Sequence, residues 1–296
     1  MTGSDLPSGA SAAAIQSHYD AGNAFYEAWL DPSLTYSAAR WSADIGTAPT
    51  LEQAQRRKLD WHLDAASVRR GARILDIGCG WGSLLDRAAH DRNAARAVGL
   101  TPSRRQCDWI NGRSGTANIE VVCRRWQEAD VGTGYDAVFS LGALEHVARP
   151  GLSAAGKIDS YERFFEFCRR SVSGSGRLSI QFVGWMDVPP SAETDNLPTE
   201  LFPESDLPRL AEVIAAAEPT FHTLLLENVP NDYALTLRAW LSRINRHRDG
   251  LVREHGRQMV KSYIHAFRRF LLGFEAGSLG LYRIAFRTRR HRAETA

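Results

Sequence analysis

The run Ile74-Leu75-Asp76-Ile77-Gly78-Cys79-Gly80-Trp81-Gly82-Ser83-Leu84-Leu85 decides the fold. Its first four residues read as a short buried strand, the glycines as a turn, and Gly82 to Leu85 as the start of a helix. Glycine removes the Cβ so that a cofactor can lie against the backbone, and a helix N-terminus offers N–H groups. Glycine triplets also serve tight strand-to-helix packing, so the turn alone leaves both readings open.

Outward from this run, strands and helices alternate. Short apolar strands are expected at Ala97–Leu100, Ile119–Cys123, Tyr135–Leu141 and Leu178–Val183, with helices after Gly82, over Ser103–Gly112 and over Tyr161–Ser171. Such alternation predicts an α/β fold with a doubly wound, mostly parallel sheet, whose ligands sit at the C-terminal ends of the strands. Upstream, Thr50 caps a helix to about Ala66 with Leu51, Ala54, Leu59 and Leu63 on its buried side. The aromatic residues Tyr19, Phe25, Tyr26 and Trp29 predict an N-terminal segment that folds back over something. Downstream, the prolines of 184–209 interrupt periodic structure and predict an insertion covering the cleft. A helix over Leu207–Ala217, a strand over Phe221–Glu227, a helical stretch from Tyr233 to about Phe274 and a last strand over Leu279–Phe286 complete the reading.

Composition narrows the class. With 44% hydrophobic and 24% charged residues, the 296-residue chain can bury a sizeable core. Cys79, Cys107, Cys123 and Cys168 have no CxxC spacing, which speaks against a zinc site or a disulfide framework and suits a cytoplasmic setting. The first residues do not form a signal peptide, no apolar run is long enough to span a bilayer, and no nucleic-acid-binding pattern occurs. The net charge of +2 is unevenly divided: from Leu237 onward the chain carries +10, and the remainder carries −8. The basic part reads either as solvated helix faces or as a surface for peripheral contact with anionic head groups.

The turn also discriminates among nucleotide cofactors. A nicotinamide fold calls for GxGxxG and an acidic residue ending the second strand. Here the turn is GxGxG, the second strand ends Val98-Gly99-Leu100-Thr101-Pro102, and no Walker lysine follows. A methyl donor made of adenosine and a sulfonium fits better, because it has no phosphates to cradle.

Linked motifs occur in order along the chain: His18-Tyr19-Asp20-x-Gly22-Asn23, Trp29-Leu30-Asp31-Pro32, Thr35-Tyr36-Ser37, Asp76 to Gly82, Gly142-Ala143-x-Glu145-His146, Phe202-Pro203-x-x-x-Leu207-Pro208 and Asp232-Tyr233-x-x-Thr236-Leu237-x-x-Trp240. From about Gln16 to Arg287 the chain resembles the cyclopropane fatty acid synthase and mycolic acid methyltransferase family. The resemblance implies a class I, Rossmann-like methyltransferase using S-adenosyl-L-methionine. It implies a helical cover over 15–70 and a methyltransferase domain over 71–290, with 184–209 as a lid. Residues 1–14 would be a disordered N-terminus and 291–296 a tail.

By that similarity Gly78 and Gly80 lie against the cofactor, and Tyr36 and Ser37 close over its methionine end. Thr101 and Gln106 take the ribose, and Trp126 and Gln127 flank the adenine. The alternatives are an aromatic core role for Trp126 and a surface helix for Gln106. Glu145 and Tyr233 are the expected catalytic residues, Glu145 having as its alternative a structural pairing with His146 or Arg149. The family's implied base is a bicarbonate held by cysteine, glutamate, histidine and tyrosine. Ala38 replaces that cysteine here, Gln181 stands in place of the histidine, Arg283 replaces a late glutamine, and Glu204-Ser205 replaces a glycine turn. Three readings follow: Glu145 as sole base on a methylated alkene, a more reactive acceptor such as an amine, or a cyclase or binding module that does not methylate. The favoured expectation is methyl transfer to carbon of a hydrophobic small molecule or unusual lipid, with a cyclopropane-fatty-acyl-phospholipid synthase as the alternative.

Overall fold

Seven strands in the order β3-β2-β1-β4-β5-β7-β6 form one twisted sheet. The computed structural model describes residues 11, 22–41, 49–113, 117–186 and 204–289. Strands β1 (Arg73–Ile77), β2 (Arg96–Leu100), β3 (Ile119–Val122), β4 (Tyr135–Leu141) and β5 (Val172–Trp185) run parallel, with Leu75 opposite both Val98 and Val138. Strand β7 (Leu279–Thr288) lies antiparallel between β5 and β6 (Phe221–Asn228). Every strand expected from the alternation is present.

The helices are α1 (Asn23–Glu27), α2 (Leu51–Ala65), α3 (Ser83–Asp86), α4 (Arg104–Asn111) and α5 (Ala154–Ser171), followed by α6 (Leu210–Ala217), α7 (Pro230–Arg246), α8 (Arg248–His255) and α9 (Arg257–Glu275). In α2, Thr50 and Gln53 cap each other reciprocally. Its buried stripe comprises Leu51, Ala54, Gln55, Lys58, Leu59, His62 and Leu63, so three polar residues share the side expected to be apolar. Three other expectations are corrected. The helix after Gly82 leaves α geometry at Asp86 and continues as a π-helical turn over Arg87–Asp91. Helix α5 starts seven residues early, because the Ser153 side chain accepts from the Gly156 N–H and caps it there. The stretch after Tyr233 is three helices, broken at His247 and at Gly256, whose φ of +85° is a conformation glycine adopts without strain.

The early aromatics do fold back. Phe25, Tyr26 and Trp29 are fully buried against Trp240 of α7 and Tyr263 and Phe267 of α9, and the Tyr26 and Tyr263 hydroxyls share a 2.7 Å hydrogen bond. Each such ring contributes about 2–3 kcal/mol through removal from water. Trp81 joins this cluster to the glycine turn, its indole N–H donating to Asn23 Oδ1 at 3.0 Å. His18 to Asp20, residues 1–10, residues 187–203 of the lid expected over 184–209, and residues 290–296 lie outside the described residues. Several basic side chains of the C-terminal part are paired rather than free: Arg238 with Glu275, Arg243 with Glu52, and the buried Arg283 with Asp232.

Candidate active site

Three adjoining cavities meet at Gly142, the residue that follows β4, with φ +83°. Two of them follow the glycine turn and the strand ends, and the third lies beyond Glu145. Their walls collect all ten residues singled out from the sequence.

The first cavity, about 460 Å³, is lined by Tyr36, Ser37, Lys58, Asp76, Gly78 and Gly80. Asp31 accepts from the N–H groups of Ser33 and Thr35 and so shapes the turn leading into Tyr36. Gln55 of α2 then donates to the Thr35 and Ser37 carbonyls, and Lys58 Nζ donates to Ser37 Oγ at 2.9 Å. Gly78 and Gly80 need their glycines for different reasons. A Cβ on Gly78 would meet the Ala143 Cβ at 2.6 Å, whereas one on Gly80 would project into open space. The expectation of free N–H groups at the turn is only partly met. The Gly78 and Cys79 N–H groups donate to the Leu100 carbonyl at 2.8 and 3.0 Å, so this part of the turn supplies room more than donors.

The second cavity, about 660 Å³, is lined by Thr101, Gln106, Arg124, Arg125, Trp126 and Gln127, with Gly78 and Gly80 shared. Thr101 Oγ1 donates to Gln106 Oε1 at 2.6 Å, while Gln106 Nε2 is buried without a partner. A buried amide with a free donor is costly unless a ligand accepts from it. Gln106 is 1% exposed, which removes the surface-helix alternative. Trp126 takes both of its proposed positions: one side lines the cavity, and its ring packs on Phe164 and Phe167 at 5.5 and 5.7 Å.

The third cavity, about 800 Å³, is lined mostly by aromatic and apolar side chains, among them Tyr36, Phe182, Tyr233, Leu237, Phe267 and Phe270, with Ser37, His146, Gln181 and Ser205 as polar members. Glu145 stands in its wall. Its Oε1 accepts from the Val183 N–H at 2.8 Å, and its Oε2 is out of solvent contact and has no partner. The residue as a whole is half-buried because it opens on the cavity; its carboxylate oxygen is not. Burial raises its pKa to about 7 against the lowering effect of the Val183 N–H. Neither structural partner considered for it is used: His146 Nδ1 is 2.7 Å from Ser205 Oγ, and Arg149 is paired at 3.6 Å with Glu204. Burial holds His146 down at about 4, so it is neutral. Tyr233 lines the same cavity, its ring tilted at 42° against Phe274 with the centroids 5.0 Å apart.

Ala38, Gln181 and Arg283, three of the replaced positions, share one network behind this wall. Gln181 Nε2 donates to the Ala38 carbonyl at 3.3 Å, and Gln181 Oε1 accepts from Arg283 Nε at 2.8 Å. Arg283, fully buried, also donates to Asp232 Oδ2 at 2.7 Å and to the Ala39 carbonyl at 2.9 Å. An alanine and a side-chain amide thus stand where the resemblance implies a thiol and an imidazole, and an ion-paired arginine where it implies a glutamine.

A family model for mycolic acid cyclopropane synthetase matches residues 8–284. The chain belongs to this family. Cyclopropane mycolic acid synthase 2 of Mycobacterium leprae (strain TN) is 32% identical over 276 residues, covering 85% of this chain and 86% of the relative. Cyclopropane-fatty-acyl-phospholipid synthase of Escherichia coli (strain K12) is 26% identical over 274 residues, covering 91% of this chain and 66% of the relative. The crystal structure of mycolic acid cyclopropane synthase CmaA1, complexed with SAH and CTAB, superposes with a TM-score of 0.83 at 23% identity, over 96% of this chain and 100% of that one. The cyclopropane synthetase assignment makes the chain an S-adenosylmethionine-dependent methyltransferase on the class I fold.

Sequence reasoning missed Lys58, which shares the first cavity with the glycines, and treated Asp76 only as part of the motif. Lysine usage carried the signal: the chain has thirty-three arginines and only three lysines, one of them on the buried stripe of α2.

Proposed function

We propose that this enzyme transfers a methyl group to an alkene carbon of a hydrophobic substrate, an unusual lipid or an apolar small molecule, held in the third cavity. The observation that carries the reading is Glu145, whose unpartnered carboxylate oxygen is set in a mostly aromatic and aliphatic wall. S-adenosylmethionine supplies an electrophilic methyl group. Gly78 and Gly80 leave room for it, and Tyr36 and Ser37 close over its methionine end. Thr101 and the free Gln106 amide suit its ribose hydroxyls, and Trp126 with Gln127 suits its adenine.

Methylation of an alkene leaves one carbon electron-poor. The ring faces of Tyr36, Tyr233 and Phe267 suit such a centre, and the apolar walls keep water from quenching it. Glu145, with Tyr233 beside it, accepts the proton whose loss completes the product. Loss from the new methyl group closes a cyclopropane, and loss from a neighbouring carbon leaves a methyl-branched alkene. The Gln181–Arg283–Asp232 network engages the wall that would otherwise hold an anion, so Glu145 works without bicarbonate.

A peripheral contact with an anionic membrane belongs to the same reading, supported by exposed Arg253, Arg257, Lys261 and Arg268 along α8 and α9 near the exposed Leu272. Four free cysteines agree with a reducing, cytoplasmic setting.

Incubation with isotopically labelled methyl donor and, separately, phospholipid and soluble extracts tests the substrate class. Label on a carbon skeleton, with a rate unchanged by bicarbonate removal, is the expected result. Label on nitrogen, label in neither extract, or strong bicarbonate dependence overturns it. Proton NMR of the product separates a cyclopropane from a methyl branch.

A further inference from the structure

Two of the free cysteines, Cys107 of α4 and Cys123 just after β3, meet beside the second cavity and have no part in the reading above. Cys107 Sγ donates to the Thr101 carbonyl at 3.8 Å, and the Thr101 N–H in turn donates to the Val122 carbonyl at 3.3 Å. Cys123 is the next residue, and its thiol is in hydrogen-bonding contact with the Cys107 thiol. The Arg124 N–H also donates to the Val122 carbonyl, at 3.0 Å, so Cys123 sits at the tip of a tight turn held against Thr101. Cys79 stands apart from the pair, its Sγ turned to the Gly80 carbonyl at 3.7 Å.

The two thiols differ in access. Cys123 is exposed, whereas Cys107 is 3% exposed. Burial, with the Cys123 thiol beside it, keeps Cys107 protonated. An oxidant in solution therefore meets Cys123 first, and Cys107 is already in contact with the sulfur that would be oxidised. In a reducing compartment a disulfide formed this way is transient and acts as a sensor. Its position gives it a consequence. Gln106 precedes Cys107 and Arg124 follows Cys123, and both line the second cavity. Gln106 also accepts from Thr101, whose carbonyl Cys107 contacts. Disulfide sulfurs lie only about 2.05 Å apart, closer than two hydrogen-bonded thiols. Closing that bond draws α4 toward the end of β3 and displaces the lining residues on either side.

We infer that Cys107 and Cys123 form a reversible disulfide in response to a hydroperoxide, and that this bond weakens cofactor binding in the second cavity. The hydroperoxide ROOH transfers its terminal oxygen to the Cys123 sulfur, giving a sulfenic acid, while the thiol proton leaves on the alcohol ROH. The Cys107 sulfur then attacks the sulfenic sulfur, the S–O bond breaks, and the Cys107 proton departs with the hydroxyl as water. The sulfur pair loses two electrons and the O–O bond gains them; a small-molecule thiol reverses the oxidation by exchange. The effect on binding rests on the cofactor placement proposed above, and the disulfide itself does not.

The test treats the reduced full chain with hydrogen peroxide, maps its peptides by mass spectrometry, and titrates it with S-adenosylhomocysteine before and after. The expected product is a cross-linked Cys107–Cys123 peptide lighter by two hydrogens. Affinity for S-adenosylhomocysteine falls by roughly 5- to 150-fold, the usual span of coupling between two sites, and returns with dithiothreitol. Cys123→Ser binds the ligand as the wild type does and no longer responds to peroxide. Cys107→Ala stops at the Cys123 sulfenic acid, which dimedone traps; the exposed Cys123→Ser change serves if this buried one does not fold. No cross-link in the wild type, or a cross-link that leaves affinity unchanged, overturns the inference. An equal loss of affinity in peroxide-treated Cys123→Ser places the oxidation elsewhere and overturns it too. A reduced wild type that forms the cross-link but never binds S-adenosylhomocysteine overturns the cofactor placement instead.

Discussion

The cofactor cleft and the substrate cavity share Gly142 and Tyr36 but are built in opposite ways. The cleft rests mainly on backbone, a glycine turn and adjacent parallel strand ends, and is closed by Tyr36, Ser37 and Lys58 from the segments before β1. The cavity rests on side chains from segments far apart in the chain, Tyr36, Glu145, Gln181, Tyr233 and Phe267 among them. Backbone geometry tolerates little substitution, whereas a wall of side chains can be exchanged piece by piece. The cleft carries the glycine motif, and Ala38 and Gln181 stand in the wall of the cavity with Arg283 behind them.

The widest separation of the two regions comes from Glu145→Gln. Methyl transfer to an alkene is expected to fall by about 10²- to 10⁴-fold, the range for a lost general base, while S-adenosylhomocysteine affinity by titration stays within about twofold. Comparable loss of both would merge the two regions into one. Next is Arg283→Met, which strands the half-buried Asp232 and should cost about 3–5 kcal/mol in denaturant unfolding. Unchanged stability would show that the network is not the cavity's frame. Gly78→Ala follows at about 2–3 kcal/mol, because φ is +81° and the new Cβ meets Ala143. Gly80→Ala, with open space ahead of it, should cost only about 1 kcal/mol in the free enzyme yet still lower cofactor affinity.

The smallest effect is one of pH. Glu145 acts as a base only when ionised, and its pKa is raised to about 7 by burial. The rate should therefore fall about tenfold per unit as pH drops below about 7 and level off above it. A flat profile across that range would remove Glu145 from the chemistry.

The walls of the first two cavities were legible in the sequence because their signals are mostly local. Gly78 and Gly80 stand beside the strand they terminate, and Thr101, Gln106, Trp126 and Gln127 follow the next two strands at short range. Glu145 and Tyr233 were legible through motifs, and the structure does place them in one cavity. What spacing could not show is the fate of the replaced positions. Nothing in Ile180-Gln181-Phe182 says that both ends of the amide are engaged by Ala38 and Arg283, since those partners lie 143 and 102 residues away. Lys58 was hidden by its helix: a polar residue at a helical spacing reads as part of a solvated face until the face proves to be buried. The break at Gly256 was hidden too, because the aromatic spacing runs straight through it.

Strand β7 bears on the order in which these parts come into being. Strands β1 to β5 pair within residues 73–185, so the sheet that carries the cofactor cleft is complete before the last hundred residues are made. Strand β6 has no place in that sheet until β7 inserts between it and β5. Pairings this distant in sequence form late, since loop closure must precede the contacts that reward it. A growing chain can thus carry the glycine turn and its strand ends while the third cavity still lacks the part of its wall that Leu281 brings on β7, with Arg283 behind it.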